Sequence, residues 1–335
     1  MVTTMSTPVL RDSYGRHIRN LRISVTDRCN FRCIYCMPKD PHWMPREDIL
    51  TYEEIERFAR IAVGIGIEKI RVTGGEPTAR RDLPVLVGML ARVAGLKDLS
   101  MTTNGMLLTK LAQPLWEAGL RRINISLDTL REEKFVHIAR RDAFGEVWAG
   151  LEAAERAGFS PIKVNMVVMR GHNDDEVVEF AKLARTRPWH VRYIEFMPLD
   201  GDGIWSRDKV VTAQEILDRI RAAGLPLKQV SAGNLTDPAR IFRFDDGLGD
   251  IGIIASVSEP FCFACDRVRL TADGNFRTCL FSHTETAVRP LLRGGADDAS
   301  IGRALVGAIA KKEAGHGIND PEFVKPKRAM YSIGG

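Results

Sequence analysis

Between Leu21 and about Pro198, short β-branched runs alternate with longer stretches whose apolar residues recur at helical spacing. The runs Leu21–Thr26, Lys69–Thr73, Leu99–Thr103, Arg122–Leu127, Ile162–Met169 and His190–Phe196 read as strands. Thr51–Ile65 reads as a helix, because Thr51 and Glu54 form a capping box and Ile55, Phe58, Ala62 and Ile65 fall on one face. Asp82–Val93, Thr109–Ala118, Phe144–Ala157 and Asn173–Arg185 repeat that helical pattern. Strands separated by helices predict a parallel sheet covered by those helices. Six of them predict an α/β fold built on a partial, incomplete β/α barrel, TIM-like but short of eight units.

Around Gly201 to Trp205 the alternation breaks in a Gly/Asp-rich stretch, which sets a boundary near Asp200. A helix over Thr212–Ala222 follows, then short runs at Ile241–Phe244, Gly252–Ser256, Val268–Thr271 and Asn275–Leu280. The last two flank Ala272-Asp273-Gly274, a hairpin signal. With helices near Val288 and over Ile301–Lys312, this half predicts a smaller, mainly antiparallel C-terminal domain. The expected division is an N-terminal extension over 1–20, a barrel over 21–200 and a C-terminal domain over 201–335.

In a β/α barrel the chemistry belongs at the carboxyl ends of the strands, and unusual sequence recurs there. The first strand runs into a cysteine loop, the second into Gly74-Gly75-Glu76-Pro77 and the third into Thr102-Thr103-Asn104-Gly105. The fourth ends at Ser126-Leu127-Asp128 and the sixth at Glu195-Phe196-Met197-Pro198. Any one of these is an ordinary turn by itself; their recurrence on one edge points to a site.

The cysteine loop carries Cys29, Cys33 and Cys36 in the spacing C-x3-C-x2-C. Three thiolates with no neighbouring fourth ligand fit a structural zinc or a saturated cluster poorly, and suit an iron–sulfur cluster with one iron left open. A disulfide would strand the third cysteine. The other three cysteines, Cys262, Cys265 and Cys279, form C-x2-C-x13-C across the hairpin. A Cys3His zinc site completed by His283 competes with a second open cluster here. Arg267 and Arg269, two apart on one face of a strand, favour the cluster and an anion beside it.

At 335 residues and 44% hydrophobic, the chain is long enough for about two domains. Its start has no apolar run of signal-peptide length, and no stretch is long enough to span a bilayer, so a cytoplasmic protein without a membrane partner is expected. The net charge of +5 is mild and scattered, with no basic run, finger or recognition-helix pattern, so it suggests a small anionic substrate at least as well as nucleic acid, and no nucleic-acid partner is expected.

With Tyr35 inside it, the motif C-x3-C-x-Y-C resembles the signature of the radical S-adenosylmethionine (SAM) superfamily, and so does the GGEP run. That resemblance implies a [4Fe–4S] cluster on Cys29, Cys33 and Cys36 whose open iron binds SAM, with Tyr35, Gly75, Ser126 and Met197 lining the SAM pocket. Adding TTNG, SLD, EFM, F-C-x-x-C-x-R-x-R-L, Cys279 in its CLF setting and the terminal Gly334-Gly335, the chain is similar to the GTP 3′,8-cyclase family of molybdenum-cofactor biosynthesis over nearly its whole length.

The family resemblance implies a second [4Fe–4S] cluster on Cys262, Cys265 and Cys279, with GTP held between the two. Arg22, Arg71, Thr102, Lys163, Arg267, Val268 and Arg269 would bind that GTP, and Arg267, Arg269, Gly334 and Gly335 would act in catalysis. A radical drawn from SAM would take hydrogen from C3′ of the ribose, C3′ would add to C8 of guanine, and the product would be 3′,8-cyclo-7,8-dihydro-GTP. A low-potential electron donor, the next enzyme of the pathway and a homodimer are the implied partners. Two rival readings are a radical SAM peptide maturase with an auxiliary cluster and a non-enzymatic two-cluster electron carrier. A nucleic-acid-binding zinc protein is the third.

Overall fold

The computed structural model describes residues 9–230 and 236–334. The six expected strands form as β1 (Asn20–Ser24), β2 (Lys69–Thr73), β3 (Asp98–Thr103), β4 (Arg122–Ser126), β5 (Ile162–Val168) and β6 (Trp189–Glu195). Each pairs in parallel with the next. Helices pack on the outside. Thr51 caps the helix Tyr52–Gly64 through the reciprocal bonds of a capping box with Glu54, and Ile55, Phe58 and Ala62 are buried.

The C-terminal half departs from the expected separate antiparallel domain. Its strands β7 (Leu227–Gln229), β8 (Arg240–Phe244), β9 (Asp250–Ile254), β10 (Arg267–Leu270), β11 (Asn275–Arg277) and β12 (Thr286–Ala287) extend the same sheet at both edges. β9 adds in parallel to β6, and β10 adds in parallel to β1. The hairpin expected at Ala272-Asp273-Gly274 is present, since β10 pairs antiparallel with β11, and β8 likewise pairs antiparallel with β9. Each of β9 and β10 thus has one antiparallel and one parallel neighbour; local turn signals disclose the first kind of pairing and not the second. The parallel part of the sheet is therefore eight strands, not six.

The segment read as an extension is also packed in. Leu10 and Ile18 are buried, and the Ile18 N–H donates to the Leu10 carbonyl at 2.9 Å.

Side chains alternate along the strands. One set, including Leu21, Ile23, Ile70, Val72, Ile123, Ile125, Val164 and Val191, joins Phe58, Leu86, Leu151 and Phe180 of the helices in the main core. The opposite set is polar: Arg22 pairs in register with Arg71 and Arg269, Asn124 with Lys163, and Asn165 with Arg192. An ordinary β/α barrel packs its interior with bulky apolar side chains. This one lines it with guanidinium and amide groups.

Candidate active site

All six cysteines line one cavity inside the barrel, and all six are free thiols. Cys29, Cys33 and Cys36 follow β1, at the carboxyl end of the parallel strands. Cys262 and Cys265 precede β10, and Cys279 follows its antiparallel partner β11, so the second trio sits at the opposite end. Arg22, Arg71, Arg192, Arg267 and Arg269 line the stretch between.

The upper loops are locked to one another through backbone. A Cβ at Gly75 would lie 2.4 Å from the Asp27 carbonyl oxygen and 2.5 Å from that of Arg28. The residue must be glycine because the GGEP turn lies against the chain entering the cysteine loop, and the Glu76 N–H donates to the Arg28 carbonyl at 2.8 Å. The buried Glu76 carboxylate accepts from Thr103 Oγ1 at 2.6 Å and from the Asn104 N–H at 2.7 Å, tying the second strand end to the third. Tyr35 donates its hydroxyl to Asp128 at 2.8 Å. Burial lifts the Asp128 carboxyl to about 6 despite that bond and one from the Val167 N–H.

The basic groups are only partly satisfied: Arg71 Nε donates to Ser100 Oγ at 3.3 Å and Arg267 bonds the Cys265 sulfur. The Nε atoms of Arg192, Arg267 and Arg269 are buried with no hydrogen-bond acceptor among the described residues. Burial and then repulsion from neighbouring arginines lower Arg22, Arg71 and Arg269; the last two come to about 10 and remain charged at neutral pH. Burial, then Arg192, Arg122 and Arg71, bring Lys163 down to about 7. Buried unpaired cations this dense are costly in a protein interior. A bound polyanion would relieve them.

Tyr35, Gly75, Ser126, Met197, Arg22, Arg71, Thr102, Arg267 and Arg269 all face this cavity. Lys163 is not in its lining and meets it through its charge on Arg71 and Arg192. The side chain of Val268, one position out of phase with Arg267 and Arg269, is fully buried in the core on the other face, which leaves only its backbone to meet a ligand. Gly334 is buried at the carboxyl ends of β1 and β2, with φ +87° and its Cβ position 2.7 Å from Thr73 Oγ1. Gly335 lies outside the described residues.

Arg192, Asn124 and Asn165 were missed, although each is a polar residue in mid-strand between apolar neighbours, the signal of an inward position. Phe261, whose ring lies under the Arg267 guanidinium at 4.9 Å, gave no such signal.

The donor sets fit clusters better than zinc. His283, the fourth ligand of the competing zinc reading, is exposed and bonds the Val324 carbonyl. His316 does line the cavity, but its Nδ1 accepts from the Ile318 N–H at 3.2 Å and its ring donates to the Ser256 carbonyl. No group of His, Cys, Asp and Glu side chains among the described residues is arranged to hold one metal ion. A cubane takes each thiolate on a different iron and needs a wider trio.

A fold of this kind, with C-x3-C-x-Y-C at the barrel mouth, defines a radical SAM protein. The radical SAM superfamily model matches residues 23–184, and that of the molybdenum cofactor synthesis C family matches 189–318. The chain belongs to the GTP 3′,8-cyclase family. It is 47% identical to the GTP 3′,8-cyclase of Rhodopirellula baltica over 99% of this chain and 94% of that one. It is also 47% identical to that of Streptomyces coelicolor, over 98% of this chain and 96% of the other, and 43% to that of Pelotomaculum thermopropionicum, over 97% and 100%. Among solved structures, Streptococcus suis SuiB bound to precursor peptide SuiA has the same fold, with TM-score 0.62, 15% identity, and 89% of this chain and 68% of that one covered. No helix among the described residues is long and apolar enough to cross a membrane.

Proposed function

We propose that this chain cyclises GTP to 3′,8-cyclo-7,8-dihydro-GTP, the first step towards molybdenum cofactor, using SAM and two [4Fe–4S] clusters. The observation that carries the reading is the set of buried arginines, three of them with an Nε that no described residue accepts from, between two cysteine trios in one cavity. Cys29, Cys33 and Cys36 would hold the first cluster, and Cys262, Cys265 and Cys279 the second. When bound with SAM, the first cluster supplies the one-electron cleavage that generates a 5′-deoxyadenosyl radical.

The chain's own residues bind, orient and exclude water. Asp128 fixes Tyr35 beside the first trio, and the glycine backbone of the GGEP turn, braced by Glu76, walls the SAM pocket with Ser126 and Met197. Arg22, Arg71, Arg267 and Arg269 take the triphosphate, joined by Arg192 and Lys163, with Thr102 on β3 beside the Arg71 strand. Charge-assisted hydrogen bonds contribute about 1.5–3 kcal/mol each. Several of them support roughly micromolar affinity after ordering costs. Met330 and Tyr331 of the tail cover the cavity and bring Gly334 to the strand ends.

A cytoplasmic setting with a low-potential reductant, hand-over of the product to the next enzyme, and a homodimer complete the reading. The test is anaerobic incubation with SAM, a low-potential reductant and each nucleoside triphosphate in turn. Cyclised product from GTP alone is expected. Peptide-directed SAM cleavage with no nucleotide product would replace this reading with the maturase.

A further inference from the structure

The second trio is assembled from two separated segments, Cys262 with Cys265 before β10 and Cys279 after β11. Something must set the distance between those segments before any cluster binds. The chain supplies it from two directions that meet at residues 312–315, just past the helix Asp298–Ala310.

From the N-terminal side comes Arg16, whose side chain is 6% exposed and paired with a fully buried Asp12 at 2.5 Å. Asp12 is itself fixed, accepting from the backbone N–H groups of Tyr14 and Arg16 at 3.0 Å each. The Arg16 guanidinium donates to three carbonyls: Cys262 at 2.9 Å, Ala314 at 2.8 Å and Glu313 at 2.6 Å. One planar fork thus ties a cysteine's own backbone to the 313–314 segment.

From the other side, the Glu313 carboxylate accepts from Thr278 Oγ1 at 2.8 Å and Ser282 Oγ at 2.5 Å, which bracket Cys279. Lys312 Nζ donates to the carbonyls of Thr278 and Arg267. Gly315 closes the brace, since a Cβ there would sit 3.4 Å from the Cys262 Cβ.

We propose that Arg16 is a positioning residue for the second cluster, holding Cys262 against the 313–315 segment while Glu313 holds Cys279 to the same segment. The inference rests on the assignment of Cys262, Cys265 and Cys279 to that cluster. Arg16, Lys312 and Glu313 do not line the cavity, so their effect is on whether the three sulfurs stand at cluster spacing.

The test is iron and sulfide content, with the electron paramagnetic resonance spectrum of the reduced protein, after anaerobic reconstitution of the full chain. The wild type should hold about eight irons, four per cluster. Arg16→Ala should hold about four and lose the second cluster's signal, while 5′-deoxyadenosine is still formed from SAM. Arg16→Lys, which keeps the charge but not the fork, should fall between. Glu313→Gln weakens the brace from the other end, should lose the same signal, and carries the test if Arg16→Ala does not fold. A full iron count with unchanged spectrum in Arg16→Ala or Glu313→Gln, or iron lost equally from both trios, overturns the proposal. Cys265→Ser is the reference: if it too keeps about eight irons, the cluster assignment fails; if it loses about four while Arg16→Ala loses none, only the brace fails.

Discussion

The two cysteine trios face one cavity from opposite ends, in surroundings of opposite charge. In the first, burial and the nearby Glu76 push the Cys29 thiol up to about 12. Burial and Asp128 push Cys33 up as well, and burial with Cys29 and Asp128 does the same at Cys36. In the second, burial raises Cys262 too, but at Cys265 the charges of Arg267, Lys312 and Arg269 outweigh burial and bring the thiol down to about 6. Net charge near a cluster is one of the protein's levers on its potential. A dry, carboxylate-flanked site favours the oxidised, less negative form, and hence a strong reductant. A cationic site suits one that receives an anion. On the proposed reading, one cavity thus separates an electron-donating end from a substrate-holding end.

The largest effect should come from removing a single cysteine at one end or the other. Cys33→Ser should abolish reductive SAM cleavage, a loss of about 1000-fold or more as for any member of a group acting as a unit. Cys265→Ser should leave 5′-deoxyadenosine formation in place and remove cyclised product. Chromatography of both products from one anaerobic reaction reads the two outcomes. If Cys265→Ser stops SAM cleavage as completely as Cys33→Ser, the division between the ends is wrong.

Arg269→Ala sharpens the cationic half. The residue is 3% exposed, and its Nε has no acceptor among the described residues. The loss of a charge-assisted contact of about 1.5–3 kcal/mol should weaken GTP binding roughly 10- to 100-fold, measured by anaerobic calorimetry. SAM binding, at the other end, should be unmoved.

Gly75→Ala attacks the anionic half through backbone alone. A methyl group 2.4 Å from the Asp27 carbonyl cannot fit without shifting the segment that leads into Cys29. An overpacking cost of about 1–3 kcal/mol should fall on the first cluster's loop. Iron bound by the first trio should drop while the second keeps its share, as read by iron analysis and by spectra of each reduced cluster.

How much of this was legible in the chain depends on the kind of signal. The strands β1 to β6, the cysteine spacings and the strand-end motifs are local, and period and turn chemistry disclose them. Parallel addition of β9 to β6 and β10 to β1 is not local: pairing partners such as Ile251 with Val191 stand far apart in sequence, and nothing near Ile251 marks its second neighbour. The same limit hid Arg16, which reads as a surface cation in an unremarkable N-terminal run and is buried by contacts with Cys262 and Glu313. Arg192 was legible and passed over. An arginine among Val191, Tyr193 and Ile194 marks an inward-facing charge once the barrel interior is recognised as polar. The Val268 side chain points the other way, into the core, since residues adjacent along a strand face opposite sides.

The subtlest effect concerns Lys163, which lies beneath the cavity in register with Asn124 and His190. Burial and the charges of Arg192, Arg122 and Arg71 bring its ammonium down to about 7 in the free protein. A triphosphate arriving among those arginines offsets the repulsion and raises that value in the complex. The sign follows: a group whose pKa is raised by binding contributes affinity in full below its free value, and the contribution fades as pH rises through the bound value. Between those limits GTP binding takes up a proton, roughly one per GTP near pH 8 and almost none near pH 6. Calorimetry in two buffers of different ionisation enthalpy measures the uptake directly. Lys163→Met should abolish the uptake and lower affinity mainly below pH 7. Uptake that persists unchanged in that variant would mean the anion does not sense this lysine, and the positive region between the two trios would then end at the arginines.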